Sequence, residues 1–397
     1  MSRRQTALPY TEPREIAGRL AGREVRVVTK PGFPGWDRVS GAQELLAEHA
    51  DVSSAGSAYC FGCGHGALAA ALWLRQPHLR LTLADPSIVA LAMARRTLAA
   101  NGVRGATVRE ELAPPPALAG AVDVVTVEAP GSRPLARRWL LEAHALLRPG
   151  GRLYIAGAND QGIQPLIGDA AALFGSAQQL GYGGRARVAL AVKGEPCEPP
   201  AWAGEPGIAP GTWHELAVEV GGERLPLLSL PGVFSYNRLD DGTRLLLEAM
   251  PDVRGMRVLD AGCGYGVIGV VAARRGAAAV DMVDASLPAV AAARANVRLH
   301  RLGQASALAS DALQAVIERR YDLVLTNPPF HAGKAVDYDV AHVFIEQARR
   351  VLGADGRLVL VANRFIRYER VIERFFARVR VLAQTRSFQV LEASGAR

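Results

Sequence analysis

The feature that most constrains this chain is that it repeats itself once. Ala58-Tyr-Cys-Phe-Gly-Cys-Gly-His-Gly66 leads into an apolar helix pattern and then Leu81-Thr-Leu-Ala-Asp85. Much later, Leu259-Asp-Ala-Gly-Cys-Gly-Tyr-Gly266 leads into another such pattern and then Val280-Asp-Met-Val-Asp284. Gly150-Gly-Arg-Leu-Tyr-Ile155 is answered in the same way by Asp355-Gly-Arg-Leu-Val-Leu360. In both copies short apolar runs of β type alternate with helix-length segments, the pattern of a doubly wound, mostly parallel α/β sheet. The period is far too long for a solenoid. A chain of 397 residues accommodates two such domains in tandem. Their expected bounds are 1–193 and 212–397, joined by a Pro/Gly-rich linker over 194–211 where a helix or central strand cannot continue. Hairpin-like alternation at Ala186 to Lys193 and at Ser387 to Ala393 predicts an antiparallel pair at the end of each sheet.

Composition narrows the partners. Hydrophobic residues make up 49% and charged residues 21%, so each copy can bury a core. No apolar run is long enough for a membrane span, and Met1-Ser-Arg-Arg4 leads into polar sequence without the apolar core of a secretory signal, so a cytoplasmic protein is expected. The net charge of +8 is compatible with a polyanionic partner. It is equally compatible with GC-rich coding, since the only lysines are Lys30, Lys193 and Lys334 among many arginines. Cys60 and Cys63 form a lone C-x-x-C inside the first glycine-rich turn, and Cys197 and Cys263 stand apart. A zinc site needs a second pair or histidines at ligand spacing, so no metal is expected and the thiols read as structural and reduced.

In the second copy a strand ending at Asp260 runs into Gly262-Cys-Gly-Tyr-Gly266, which includes Cys263 and Gly264, and then into a helix. Glycines there let the backbone turn sharply and approach a ligand at the carboxyl edge of the sheet. Asp284, followed by Ala285, closes the next strand, where a carboxylate can accept both ribose hydroxyls of a nucleoside cofactor. These features suit NAD as well as S-adenosylmethionine. Asn327-Pro328-Pro329-Phe330, after the strand Tyr321 to Thr326, discriminates. Two prolines rigidify the loop and force Asn327 into an extended conformation. The Asn327 side-chain oxygen and the Pro328 carbonyl can then accept both hydrogens of a planar amino group, turning its lone pair toward an electrophilic methyl. Phe330 offers a face on which a base stacks. Asp311, next to Ala312, follows a third strand, where a carboxylate can take an adenine amino group or remain a solvated turn aspartate. Leu239-Asp240-Asp241-Gly242-Thr243 reads as a helix cap and Pro231 to Ser235 as a turn.

With these motifs in view, the second half from Leu230 to about Ala393 resembles the catalytic half of the bacterial small-subunit rRNA guanine-N2 methyltransferase family, and is similar to its large-subunit sister family. The resemblance rests on Leu230-Pro-Gly-Val-Phe-Ser235 with Leu239-Asp240 and Gly242, on Asp260 to Gly266, on Asn327-Pro-Pro-Phe-His-Ala-Gly333, and on Val361-Ala-Asn-Arg-Phe-Ile-Arg-Tyr368. It covers the first half loosely. It implies two tandem Rossmann-like class I methyltransferase domains, an active C-terminal one and a degenerate N-terminal duplicate. It also implies S-adenosylmethionine surrounded by Asp240, the loop, Asp284, Asp311 and Asn327. A guanine amine of ribosomal RNA, 16S or alternatively 23S, would be presented to Asn327 and Phe330 by a monomeric enzyme.

The first copy departs at the decisive loop. Val122 to Val127 leads into Glu128-Ala-Pro-Gly131, so the asparagine, the first proline and the aromatic are replaced, while Gly62, Gly64, Gly66 and Asp85 survive. A non-catalytic RNA-docking or structural role is expected there, with residual nucleoside binding left open. Arg367, Arg370, Arg374 and Arg378 recur at steps of three and four, which predicts a basic stripe on one helix face, either facing RNA or merely solvated. The rival readings are methylation of a protein glutamine amide or an adenine amine, and a non-catalytic rRNA assembly factor.

Overall fold

The computed structural model describes residues 10–195, 197–328 and 335–396, with 335–339 as backbone alone. The chain divides into two compact units, Met1–Thr212 and Trp213–Arg397.

The first unit opens with a hairpin, β1 (Arg14–Leu20) and β2 (Arg23–Thr29), followed by α1 (Gly41–His49). Strands and helices then alternate through β3 (Ser57–Phe61), α2 (Ala67–Arg75), β4 (Arg80–Ala84), α3 (Ile88–Ala100), β5 (Ala106–Arg109), β6 (Val122–Glu128), α4 (Arg133–Leu146), β7 (Leu147–Ala158) and α5 (Ile163–Phe174). A closing hairpin, β8 (Gln178–Gly183) and β9 (Ala186–Val192), completes a sheet ordered β5-β4-β3-β6-β7-β9-β8. The Pro/Gly-rich segment after it is no free tether. Trp202 and Ile208 are buried in the core beneath α4 and α5, and Arg138 donates to the Gly207 carbonyl.

The second unit repeats the plan. Hairpin β10 (His214–Val220) and β11 (Glu223–Ser229) precedes α6 (Asp241–Glu248), β12 (Arg257–Ala261), α7 (Val267–Arg274), β13 (Ala279–Asp284), α8 (Leu287–Leu299) and β14 (Ala305–Ala309). Then come β15 (Tyr321–Thr326), α9 (Ala335–Val351), β16 (Leu352–Asn363), the single turn α10 (Glu369–Ile372), and the pair β17 (Phe376–Gln384) and β18 (Phe388–Ala396). The order is β14-β13-β12-β15-β16-β18-β17, parallel from β14 to β16 and antiparallel at β18 and β17. Chain direction across the sheet reverses between β12 and β15, which opens a crevice at their carboxyl ends. No helix among the described residues is long and apolar enough to cross a membrane.

Sequence reading did not find the leading hairpins. Their alternation is short, and the contacts that hold them come from a distant helix. In the second unit the fully buried Asn296 of α8 accepts from Leu228 N–H (2.7 Å) and donates to the Leu228 carbonyl and to the Tyr265 carbonyl (both 2.8 Å). In the first unit Thr97 exchanges the same pair of bonds with Val28. Replacing Asn296 with Ala strands a buried backbone pair, so Asn296→Ala is expected to destabilise the second unit by on the order of 2–3 kcal/mol. Denaturant unfolding with an unchanged midpoint would show that the hairpin is held by something else.

Candidate methyl-transfer site

The site grows from the crevice between β12 and β15. After β12 the backbone turns through Gly262, Gly264 and Gly266 with φ of 73°, 55° and 85°, all left-handed. Gly266 cannot be replaced cheaply, since a Cβ there would come within 2.9 Å of the Ala293 Cβ. The turn is fastened from the neighbouring strand, where the Val283 carbonyl accepts from Gly262 and Cys263 N–H, at 2.8 and 3.0 Å. Cys263 is buried, and burial pushes its thiol well up. In the first unit burial likewise pushes Cys60 up to about 11 and Cys63 well above its ordinary value, which disfavours the thiolate a redox pair needs.

Asp284 ends β13 with its carboxylate oriented by the protein. Oδ2 accepts from Gly264 N–H (2.9 Å) and Oδ1 from Ser286 N–H (2.8 Å). Burial raises its pKa, opposed by the Ser286, Gly264 and Ala285 amides. Asp284 and Ala285 are half-buried, so both keep surface for a ligand. Asp311 is also half-buried, on a turn where Ala312 takes φ of 48°. Sequence reading missed what holds that turn: the buried Gln347 of α9, whose Oε1 accepts from Leu313 N–H (2.8 Å).

Asp260 is a correction. It is fully buried behind the glycine turn, where Oδ2 accepts from Gly269 N–H (2.9 Å), so it braces α7 and has no surface to offer a cofactor. Among the described residues Oδ1 meets no donor.

The strand end that the sequence singles out is built around Asn327. Asp240 caps α6, Oδ2 accepting from Thr243 N–H (2.9 Å). The same Oδ2 accepts from Asn327 Nδ2 (3.0 Å), and Asn327 Nδ2 also donates to Thr243 Oγ1 (2.8 Å). A carboxylate only accepts, so the amide atom facing it is the nitrogen. Both amide hydrogens are spent inside the protein, and what Asn327 can offer a ligand is its oxygen. Asp240 therefore acts on the amide as well as on the helix, and Thr243 is a site residue that the sequence showed only as part of a cap. Pro328 is buried beside Asn327. Pro329 and Phe330 lie outside the described residues.

The equivalent place in the first unit has the opposite polarity. Glu128 Oε1 accepts from Ser40 Oγ (2.6 Å) and Oε2 from Gln43 Nε2 (2.9 Å). Ser40 caps α1 as Asp240 caps α6, so the anion has moved from the helix cap to the strand end. Asp85 keeps the same donors as its counterpart, Gly64 N–H and Ser87 N–H, both at 2.9 Å.

The arginine stripe is a second correction. α10 is one turn long and Arg378 lies in β17, so no single helix face carries the four residues. Arg378 pairs with Ser394, itself opposite Arg357 midway along β16, and lies on β17 at the sheet's edge, three strands from β15. The spacing of three and four mimicked a helix across a turn and a strand. No group of three or more His, Cys, Asp or Glu placed to hold a metal ion occurs among the described residues.

Burial raises the Asp260 carboxyl from 3.8 to about 7, with the Asp284 charge adding to the effect. Between those values the folded protein binds more protons than the unfolded chain, so this group's contribution to stability falls as pH rises through that window. Asp260→Asn removes the titration. The melting temperature of the variant relative to wild type is therefore expected to climb from about pH 4 to pH 7 and level off above it. A difference that stays flat across thermal melts in this range would rule out a titrating Asp260.

The chain matches the Methyltransferase small domain family twice, over residues 24–188 and 224–392. It is 36% identical over 306 residues to the ribosomal RNA small subunit methyltransferase C of Chromohalobacter salexigens, spanning 73% of this chain and 83% of that one. To the protein of the same name from Stutzerimonas stutzeri it is 33% identical over 281 residues, spanning 69% and 80%. The structure of the T. thermophilus 16S rRNA N2 G1207 methyltransferase in complex with AdoMet and guanosine superposes with a TM-score of 0.79 at 31% identity, covering 96% of this chain and 98% of that one. The chain thus belongs to the Methyltransferase small domain family and, within it, to the ribosomal RNA small subunit methyltransferase C family.

Proposed function

We propose that this protein transfers a methyl group from S-adenosylmethionine to the exocyclic N2 amine of a guanine in 16S rRNA, as a cytoplasmic monomer, with the second unit doing the chemistry. The observation that carries the reading is the Asn327 amide, both hydrogens held by Asp240 and Thr243 and its oxygen left for an amine at the carboxyl edge of β15.

The residues present fit the cofactor. Asp284, already oriented by two backbone amides, suits the ribose diol, and the left-handed glycine turn leaves no side chain between the backbone and a bound nucleoside. Asp311, half-buried on the turn after β14, would accept from the adenine amino group. When bound, S-adenosylmethionine supplies a methyl group already activated by its sulfonium.

The chain's own work is then alignment. The target base has to leave its stack to reach the crevice. Asn327 Oδ1 and the Pro328 carbonyl accept the two amine hydrogens and rotate the nitrogen lone pair out of conjugation with the base. The sequence resemblance gives Phe330, outside the described residues, the role of a stacking face for the base. The proton leaves after transfer, to one of these acceptors or to water, and no strong base is required of the protein. The first unit lacks an outward amide oxygen at Glu128 and serves RNA docking or structure.

Asn327→Ala is expected to abolish N2-methylguanosine formation in a single-turnover assay read by mass spectrometry, with the fold intact by circular dichroism. Retention of most turnover, or methylation at a second guanine, would mean that another group or the first unit aligns an amine. Asp284→Ala removes a charge-assisted contact and should weaken cofactor binding about tenfold to a hundredfold by calorimetry, and unchanged binding would remove Asp284 from the site.

A further inference from the structure

The two units share one fold, so the first serves as an internal control for what the fold itself requires of the second. Phe234 and Phe365 are 63% and 66% exposed, large apolar faces left in water. Both flank Asn327. Phe234 sits on the loop before α6, whose Val233 approaches Gly264 and whose Arg238 carbonyl accepts from Tyr265 Oη (3.2 Å), which places it over the turn after β12. Phe365 follows β16. Since β15 lies between β12 and β16, Asn327, just after β15, stands between the turn after β12 and the segment that follows β16.

The segment that carries Phe365 is anchored so that the ring points outward. Ile366 and Tyr368 are buried, and the intervening Arg367 is exposed. Arg364, also exposed, bonds through its N–H to the Ser387 carbonyl (2.9 Å), which brings the turn bearing the exposed Arg386 alongside. Phe388, next on that turn, packs against Gly242 at the start of α6, close to Asp240.

The first unit keeps the backbone bond but not these side chains, and its exposed aromatic is Tyr182 on β8, beneath Arg187. Its equivalent bond runs from Asn159 N–H to the Arg185 carbonyl (2.9 Å), which aligns Asn159, Asp160 and Gly162 with Arg364, Phe365 and Arg367. Gly32, left-handed like Gly232, aligns Pro34 with Phe234. The fold therefore does without both phenylalanines and these arginines. They occur together only beside the outward amide.

We propose that Phe234 and Phe365 are stacking faces for the nucleotides on either side of the target guanosine, and that Arg364, Arg367 and Arg386 hold their phosphates. Together they form a platform for single-stranded rRNA along the carboxyl edge of the second unit. Exposed aromatics take unstacked bases of any sequence, and arginines position the backbone. The inference rests on the methyl-transfer reading above and adds to it where the RNA lies.

The test uses the full-length protein and a fluorescent single-stranded oligoribonucleotide in anisotropy titrations at several salt concentrations. Phe365→Ala and Phe234→Ala should each weaken RNA binding about tenfold, with Trp at either position restoring it, while S-adenosylmethionine affinity by calorimetry stays at the wild-type value. Arg364→Ala combined with Arg367→Ala should lower the salt slope by roughly 1.4. Arg378→Ala, at the far edge, should leave RNA affinity at the wild-type value. RNA affinities within twofold of wild type for both phenylalanine variants overturn the platform, as does a Phe234→Ala loss confined to S-adenosylmethionine. Failure of the methyl-transfer reading shows separately, as a wild-type protein that forms no N2-methylguanosine on rRNA.

Discussion

One carboxylate oxygen organises the reactive end of this protein. Asp240 Oδ2 receives the Thr243 amide in the first turn of α6 and, at the same time, the side-chain amide of Asn327. A helix cap is a common structural duty, satisfying N–H groups that no earlier turn can reach. Here the cap also settles which end of the Asn327 amide is left facing away from the protein's own acceptors. The asparagine's specificity is thus fixed by a residue from another element far away in sequence. Thr243 adds the second acceptor, so neither amide hydrogen is left to compete for the substrate.

Around that point the structure separates requirements of the fold from requirements of chemistry. Asp85 and Asp284 keep the same two backbone donors in both units, as do the left-handed glycines before them. The hairpins before α1 and α6 are both tied down by a polar side chain from the helix after the second parallel strand, Thr97 in one case and Asn296 in the other. These shared features are compatible with a unit that does no chemistry. What differs is the strand-end side chain and the surface just outside it.

Much of this was legible in the sequence, because the informative residues are local. The glycine turn, Asp284, the Asn327-Pro328 loop and the terminal hairpins announce themselves by spacing within a few residues. What escaped notice depends on partners that are near only in space. Thr243 looks like any residue in a first helical turn until Asn327 is folded onto it from β15. Asp260 looks like a ligand because it precedes the glycines, yet the strand pleat turns it into the core. The arginines from Arg367 to Arg378 carry a helical spacing, but Phe376, Val379 and Val381 draw the chain into a strand halfway along. Trp202 and Ile208 look like incidental apolar residues in a proline-rich stretch, and they seal the base of a core instead.

The transposed anion has an evolutionary consequence. Ser40, Gln43 and Glu128 carry one negative charge among three side chains, as Asp240, Thr243 and Asn327 do, and in each set the carboxylate is met by donors from within the set. The two arrangements are alternative solutions separated by several substitutions, with poor ground between them. Glutamate at the strand end facing an aspartate cap sets two carboxylates against each other, and asparagine facing serine loses the anion that orients it. A duplicate that has crossed from one set to the other does not drift back by single steps. The polarity of the first unit is in that sense locked, by the same pairing logic that orients the Asn327 amide.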